Sequence, residues 1–141
     1  MSEVRVDRGE CRAYYRKAKE DKMAAEMLKE QGFYSQAFSL AIKAFILYLD
    51  ALNIADLGIK SSSPNHKETI DTFSKVQVRD PVRAKTKEDV KREYLRFIGM
   101  KNAADYTGDE FREKDVDKLL KALENADFFI RRELSERGYS T

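Results

Sequence analysis

Apolar residues recur at intervals of three, four and seven along most of the chain, which is the spacing of amphipathic α-helices. Four long segments follow this pattern, and each stops at a glycine that can take the left-handed conformation closing a helix. A shorter segment lies between the second and third of them. The pattern predicts an all-α fold, an up-and-down bundle of four long helices plus one short helix. The long helices are expected at Glu10 to Gln31, Ser35 to Leu57, Thr86 to the residue before Gly108, and Lys114 to Arg137.

The second predicted helix is apolar almost all round, whereas the others have one apolar face. Its few polar residues form a single narrow stripe, as expected of a central helix that is touched on several sides: Ser39, Lys43, Asp50 and Asn53. The stretch from Ala37 to Leu57 is long enough to span a bilayer, but a charge near a bilayer centre costs about 2.5–3.5 kcal/mol. We therefore expect a buried helix in a soluble bundle and no membrane contact.

The remaining boundaries follow from local signals. Ser63 and Pro64 suit the N-cap and first position of the short helix, which carries His66 in its first turn and Ile70, Phe73 and Val76 on one face. The segment IKSSS before it has the composition of a flexible linker. Asp80 and Pro81 predict a chain break, and Thr86 with Asp89 resembles a capping box opening the next helix. The first helix is expected to bury Cys11, Tyr14, Ala18, Ala25 and Leu28.

Composition narrows the class of protein. A chain of 141 residues suits one domain, residues 1–141, and 42% hydrophobic with 37% charged residues argues against disorder. The net charge of +2 lacks the strong positive field of a dedicated nucleic-acid coater, so any RNA contact must be local. One cysteine and one histidine exclude an intramolecular disulfide and a Cys/His zinc site. We expect a cytoplasmic protein with no metal and no cofactor.

Candidate chemistry is sparse. Glycine-rich phosphate loops and nucleophile elbows are absent, which removes most enzyme classes. The segment from Arg79 to Lys101 holds eight basic residues against four acids, enough to neutralise a few phosphates or simply to form a solvated helix face. His66 is a secondary candidate, although a histidine in a first helical turn is more often a surface or capping residue.

With the helices placed, the chain resembles the HEPN domain family, in particular its small single-domain prokaryotic members. The matching segments are QGFYSQAFSLAIKAFILYLDAL, NHKETIDTF, NAADYTGD and KLLKALENADFFIRREL, within a region from Tyr14 to Leu134. The resemblance implies a homodimer with a cleft along the dimer seam. In active branches of the family, an arginine, a polar residue and a following histidine form a metal-independent ribonuclease site.

Aligned on Asn102, this chain departs from that motif at both key positions. Lys101 stands where the arginine belongs and Tyr106 where the histidine would come. Lysine keeps the charge but loses the two-pronged grip on phosphate, and tyrosine is a poor proton shuttle at neutral pH. Because a positioned acid or base contributes about 10²–10⁴ in rate, the resemblance implies at most weak cleavage here. No residue is therefore assigned as catalytic.

A related pattern in small family members has an arginine, two residues and then Ala-Asp-Tyr, which matches here except for the arginine. Asp105 lies one turn after Lys101 and is expected to pair with it on the inner helix face. Such members often occur beside a small nucleotidyltransferase. The resemblance therefore implies a nucleotidyltransferase-type protein partner.

The leading hypothesis is a non-catalytic or weakly active bundle of the toxin–antitoxin kind that binds a nucleotide, RNA or a nucleotidyltransferase partner. Its cleft would be lined by Lys101, Asn102, Asp105 and Tyr106. One alternative is an active metal-independent endoribonuclease toxin, in which His66 or Tyr106 carries the proton. A second alternative is a purely structural protein-interaction module.

Overall fold

Helices make up most of the chain in the computed structural model, which describes residues 3–61 and 66–141. In these ranges four long helices and one short helix form a bundle, as predicted. The helices are α1 (Cys11–Glu30), α2 (Tyr34–Leu57), α3 (His66–Ser74), α4 (Pro81–Thr107) and α5 (Glu113–Glu136). The predicted start of the short helix, Ser63 and Pro64, lies outside the described residues.

Helix α2 is the core of the bundle, with fourteen buried residues and contacts to all four other helices. It is long and apolar enough to cross a membrane by length and composition, but 72% of its most apolar stretch is buried inside the protein. The central helix of a helical bundle can have the same length and apolar composition. Along its polar stripe, Ser39 and Lys43 are exposed whereas Asp50 and Asn53 are buried.

A carboxylate joins three of the helices inside the bundle. Asp127 of α5 accepts hydrogen bonds from the hydroxyls of Tyr15 in α1, at 2.5 Å, and Tyr48 in α2, at 2.9 Å. The two rings also meet edge to face. The prediction that Tyr14 is the buried tyrosine of α1 was therefore wrong. Tyr14 is half-buried beside Lys60, and Leu28 is also half-buried. The reason is that the face of α1 that packs into the core contains Tyr15 rather than Tyr14.

The start of α4 lies five residues before the predicted one. Asp80 caps the helix by accepting hydrogen bonds from the backbone N–H groups of Val82, at 2.8 Å, and Arg83, at 3.1 Å. Pro81 occupies the first helical position, where its missing N–H has no partner to lose. The Asp-Pro pair is thus a break and a helix start together, and Thr86 lies inside the helix.

The predicted linker after α2 contains a strand. Residues Ile59–Ser61 (β2) pair antiparallel with Glu3–Arg5 (β1), with Val4 opposite Lys60. Gly58 takes a positive φ of 67° at the end of α2 and sends the chain into this ribbon. The beginning of the described chain is thereby fastened to the connection between α2 and α3.

A buried ion network lies near the ends of α2 and α5. Glu133 of α5 is 2% exposed and contacts Arg83 Nε at 2.6 Å and Arg137 Nη1 at 2.9 Å. Arg137 also contacts Asp56 of α2 at 3.0 Å. The network fixes the ends of α2 and α5 against the start of α4.

Helix α3 lies across α2 and runs antiparallel to α4. The Tyr94 hydroxyl of α4 donates to the His66 carbonyl at 3.1 Å, near the start of α3. At the other end, Lys87 Nζ donates to the carbonyls of Ser74 at 3.1 Å and Val76 at 2.8 Å. Asn53 of α2 donates to a backbone carbonyl in the middle of α3. These contacts place His66 on the side of the bundle where α4 ends.

Candidate functional site

The candidate site lies at the end of α4, which extends beyond the core. The last buried residues of the helix are Phe97 and Ile98, and it continues for about two and a half turns to Thr107. Gly108, with a φ of 77°, closes it by donating to the Ala104 carbonyl. Side chains on this final segment are therefore held by a regular helix, and from Asp105 onward they are exposed.

Lys101 and Asp105 form the ion pair that their spacing predicts. Lys101 Nζ lies 2.5 Å from Asp105 Oδ1. The Lys101 side chain is 24% exposed and that of Asp105 is 61% exposed. The prediction that both face inward was wrong for Asp105, because α4 has passed its last buried residue by this point. The lysine thus rests against the protein while the carboxylate reaches it from the solvent side.

Asn102 and Tyr106 lie one turn apart on the neighbouring face of the helix, and both are exposed. Tyr106 is 94% exposed, so its ring presents a free aromatic face. Asn102 offers a donor and an acceptor beside it. The four predicted cleft residues therefore share one helix end, as surface side chains rather than as the lining of an enclosed pocket.

His66 lies within electrostatic range of Lys101, which the sequence could not show. It is half-buried at the first described residue of α3. Burial lowers the pKa of its imidazole, and the positive charge of Lys101 lowers this pKa further. The ring is therefore neutral at pH 7 and has a lysine ammonium for a neighbour. We call His66 together with Lys101, Asn102, Asp105 and Tyr106 the Lys101 cluster.

Asp50 of α2 is a buried titratable group that the sequence did not single out. Asp50 is 7% exposed, and its Oδ1 has no hydrogen-bond donor among the described residues; nor does Asn53 Oδ1. Burial raises the pKa of the Asp50 carboxyl to about 7, against the opposing effect of Lys60. Burial, and the nearby Asp50 charge, raise the pKa of Tyr94. The Tyr94 hydroxyl thus donates a hydrogen bond to the His66 carbonyl, and the negative charge of Asp50 acts on the same hydroxyl.

The basic residues of α4 are mostly engaged in pairs. Lys87 is buried and bonded to backbone carbonyls, and Arg83 is bonded to Glu133. Three further bases form exposed ion pairs within α4, in which Lys85 and Arg92 share Asp89 and Arg96 meets Glu93. A solvated helix face therefore explains the exposed basic residues of α4 before Lys101. Lys101 differs from them in the residues that surround it and not in the local excess of positive charge.

Metal chemistry finds no support in residues 3–61 and 66–141. No group of three or more histidine, cysteine, aspartate or glutamate side chains there is placed to hold a metal ion.

Comparisons of the chain with protein-family models, curated proteins and solved structures gave no match. The HEPN resemblance therefore rests on the sequence motifs and stays a prediction. Because helical bundles host many unrelated functions, the chemistry of the Lys101 cluster must carry any functional conclusion.

Proposed function

We propose that the protein is a HEPN-like bundle that binds the phosphate and base of a single-stranded RNA or nucleotide at the Lys101 cluster. The observation that carries the proposal is that Lys101 lies at the same helix end as Asn102 and Tyr106, which are exposed on the adjoining face. A cation, an amide and an open aromatic ring are the groups that contact a nucleotide's phosphate and base.

The chemistry predicts modest and salt-sensitive affinity. Lys101 is a point charge without the bidentate fork of arginine, and the net charge of the chain is +2. Stacking of a base on Tyr106 would supply about 1–3 kcal/mol. In the homodimer that the resemblance implies, two clusters would act on one strand, so avidity would raise the affinity.

The biological setting follows from the resemblance alone. It implies a cytoplasmic protein of a toxin–antitoxin system that acts beside a nucleotidyltransferase-type partner. A purely structural interaction module would show stable complexes with such a partner and no affinity for nucleotides. RNA binding by the isolated protein therefore separates the two functions.

Fluorescence anisotropy of a short labelled single-stranded RNA at low salt tests the proposal. We expect Lys101→Ala and Tyr106→Ala each to weaken binding, because one removes the phosphate contact and the other the stacking face. The control is Lys19→Ala, an exposed lysine of α1 outside the cluster. If Lys19→Ala and Lys101→Ala weaken binding equally, the interaction is a general charge effect and the cluster is not the site.

Weak metal-independent RNA cleavage is a second candidate function, favoured by the neutral imidazole of His66 beside Lys101. The imidazole would take the proton of the ribose 2′-hydroxyl while the 2′-oxygen attacks phosphorus. The P–O5′ bond would break and the imidazolium would return the proton to the 5′-oxygen, leaving a 2′,3′-cyclic phosphate and a 5′-hydroxyl. Lys101 would neutralise charge on the phosphate oxygens.

Incubation of RNA with the protein in chelator tests this reaction. We expect His66→Ala to lower the cleavage rate by about 10²–10⁴, the contribution of a positioned acid or base. Tyr106→Phe keeps the aromatic ring and should retain cleavage. This differs from what the family motif suggests, because Tyr106 stands at the position of the family's proton-transferring histidine. Absence of any cyclic-phosphate product at high protein concentration would sink the ribonuclease candidate and leave the binding function.

A further inference from the structure

The carboxylate of Asp105 lies where a ligand's anionic oxygen would contact Lys101. Its Oδ1 accepts a hydrogen bond from Lys101 Nζ at 2.5 Å, so it occupies a position on the ammonium that an oxyanion would use. It approaches from the solvent side, since Asp105 is 61% exposed and Lys101 is 24% exposed. A phosphate reaching Lys101 from solvent therefore meets this carboxylate first.

We propose that Asp105 is an internal competitor that occupies the phosphate position on Lys101 and swings away when a phosphate group binds. The inference rests on the proposed function and names Asp105 as the residue that sets its affinity. A group that helped to hold phosphate would be a donor, whereas an ionised carboxylate is an acceptor and repels it.

The two partners of the pair are held unequally. Among the described residues, Lys101 Nζ is the hydrogen-bond donor that the Asp105 carboxylate meets, and the rest of that side chain faces solvent. Lys101 has its stem against the protein and His66 nearby. Because exposed ion pairs contribute little net stability, the carboxylate can leave at low cost while the ammonium stays in place.

His66 should report the exchange. The phosphate dianion carries more negative charge than the carboxylate that it displaces, so at a pH where the dianion predominates its binding at Lys101 should favour the protonated imidazole. The chain contains one histidine, and its ring signals are therefore unambiguous in a proton NMR spectrum.

The experiment is an NMR titration of the His66 ring with inorganic phosphate, in the wild-type protein and in Asp105→Asn, Asp109→Asn and Lys101→Ala. Asp109 is an exposed acid just beyond Gly108, so Asp109→Asn makes the same change in net charge without touching Lys101. We expect Asp105→Asn to bind phosphate about two- to fivefold more tightly, the range that an exposed ion pair accounts for. The Asp109→Asn protein should stay close to wild type, and Lys101→Ala should lose the effect.

The possible failures are distinct. Weaker binding by Asp105→Asn would show that Asp105 helps to hold the ligand and would overturn the inference. Equal gains in Asp105→Asn and Asp109→Asn would also overturn it, as a general charge effect. If Asp105→Asn equals wild type while Lys101→Ala loses binding, the inference falls and the proposed function stands. If phosphate moves the His66 signals in none of the proteins, or equally in all four, both fall.

Discussion

At the scale of single residues, Asp50 is an acid placed where water does not reach. It belongs to the polar stripe of α2, half of which is exposed and half of which is buried. Periodicity predicted the stripe, but the burial of Asp50 depends on which helix lies over it. The rise of its pKa to about 7 therefore follows from tertiary packing and not from local sequence.

Asp50→Asn should change how stability depends on pH. Because burial raises the folded-state pKa to about 7, the folded protein holds a proton that the unfolded chain loses near pH 4. Ionisation of Asp50 thus lowers the free energy of unfolding as the pH rises from about 4 to 7, by at most about 4 kcal/mol. Asparagine does not ionise, so the variant does not lose stability in this way. Its free energy of unfolding should therefore increase relative to that of the wild type toward pH 8.

Urea denaturation of both proteins at pH 4.5 and pH 8 measures the difference. Asp71→Asn, an exposed acid on α3, is the control and should show no such pH dependence. A wild-type-to-variant difference that is the same at both pH values would contradict the assignment of Asp50 as neutral in the folded state at low pH.

The same limit on sequence reasoning appears at Tyr14 and Tyr15. Both are tyrosines at adjacent positions, and their spacing from Ala18 suits either one as a core residue. The choice is made by Asp127, on a helix more than a hundred residues later, which bonds to Tyr15. In contrast, the Lys101–Asp105 pair was predictable because both partners lie on one helix at a fixed spacing.

At the scale of elements, helix ends marked by glycine were predicted well and the start of α4 was not. Gly58 and Gly108 both take positive φ after their helices. Asp80 and Pro81 signal a break and an N-terminus alike, and only the hydrogen bonds from Val82 and Arg83 decide between them. The paired strands were missed because three residues are too few to show an alternating pattern.

Removal of the Asp80 cap tests this boundary. Asp80→Ala should lower the free energy of unfolding by about 0.5–2 kcal/mol, because two backbone N–H groups lose their acceptor. Thr86 is the residue at which the sequence predicts the start of the helix. Thr86→Ala should keep a free energy of unfolding within about 0.5 kcal/mol of that of the wild type. Equal losses in chemical denaturation would mean that the helix does not depend on Asp80 for its start.

At the scale of the whole molecule, the all-α bundle was predictable because hydrophobic stripes and glycine stops agree along the chain. The candidate site was predictable only in part. Its α4 residues follow from one motif, but His66 lies within electrostatic range of Lys101 because α3 runs antiparallel to α4. That arrangement depends on contacts such as those of Tyr94 and Lys87, which no local pattern encodes.

The burial of Cys11 has a practical consequence for the question of the dimer. It is the one cysteine of the sequence and has no exposed surface, and burial raises the pKa of its thiol, so the reactive thiolate is suppressed. The native surface is thus inert to thiol reagents. A cysteine introduced by Tyr106→Cys would take a spin label alone, and the separation of two such labels would give the distance between the ends of α4 in paired protomers.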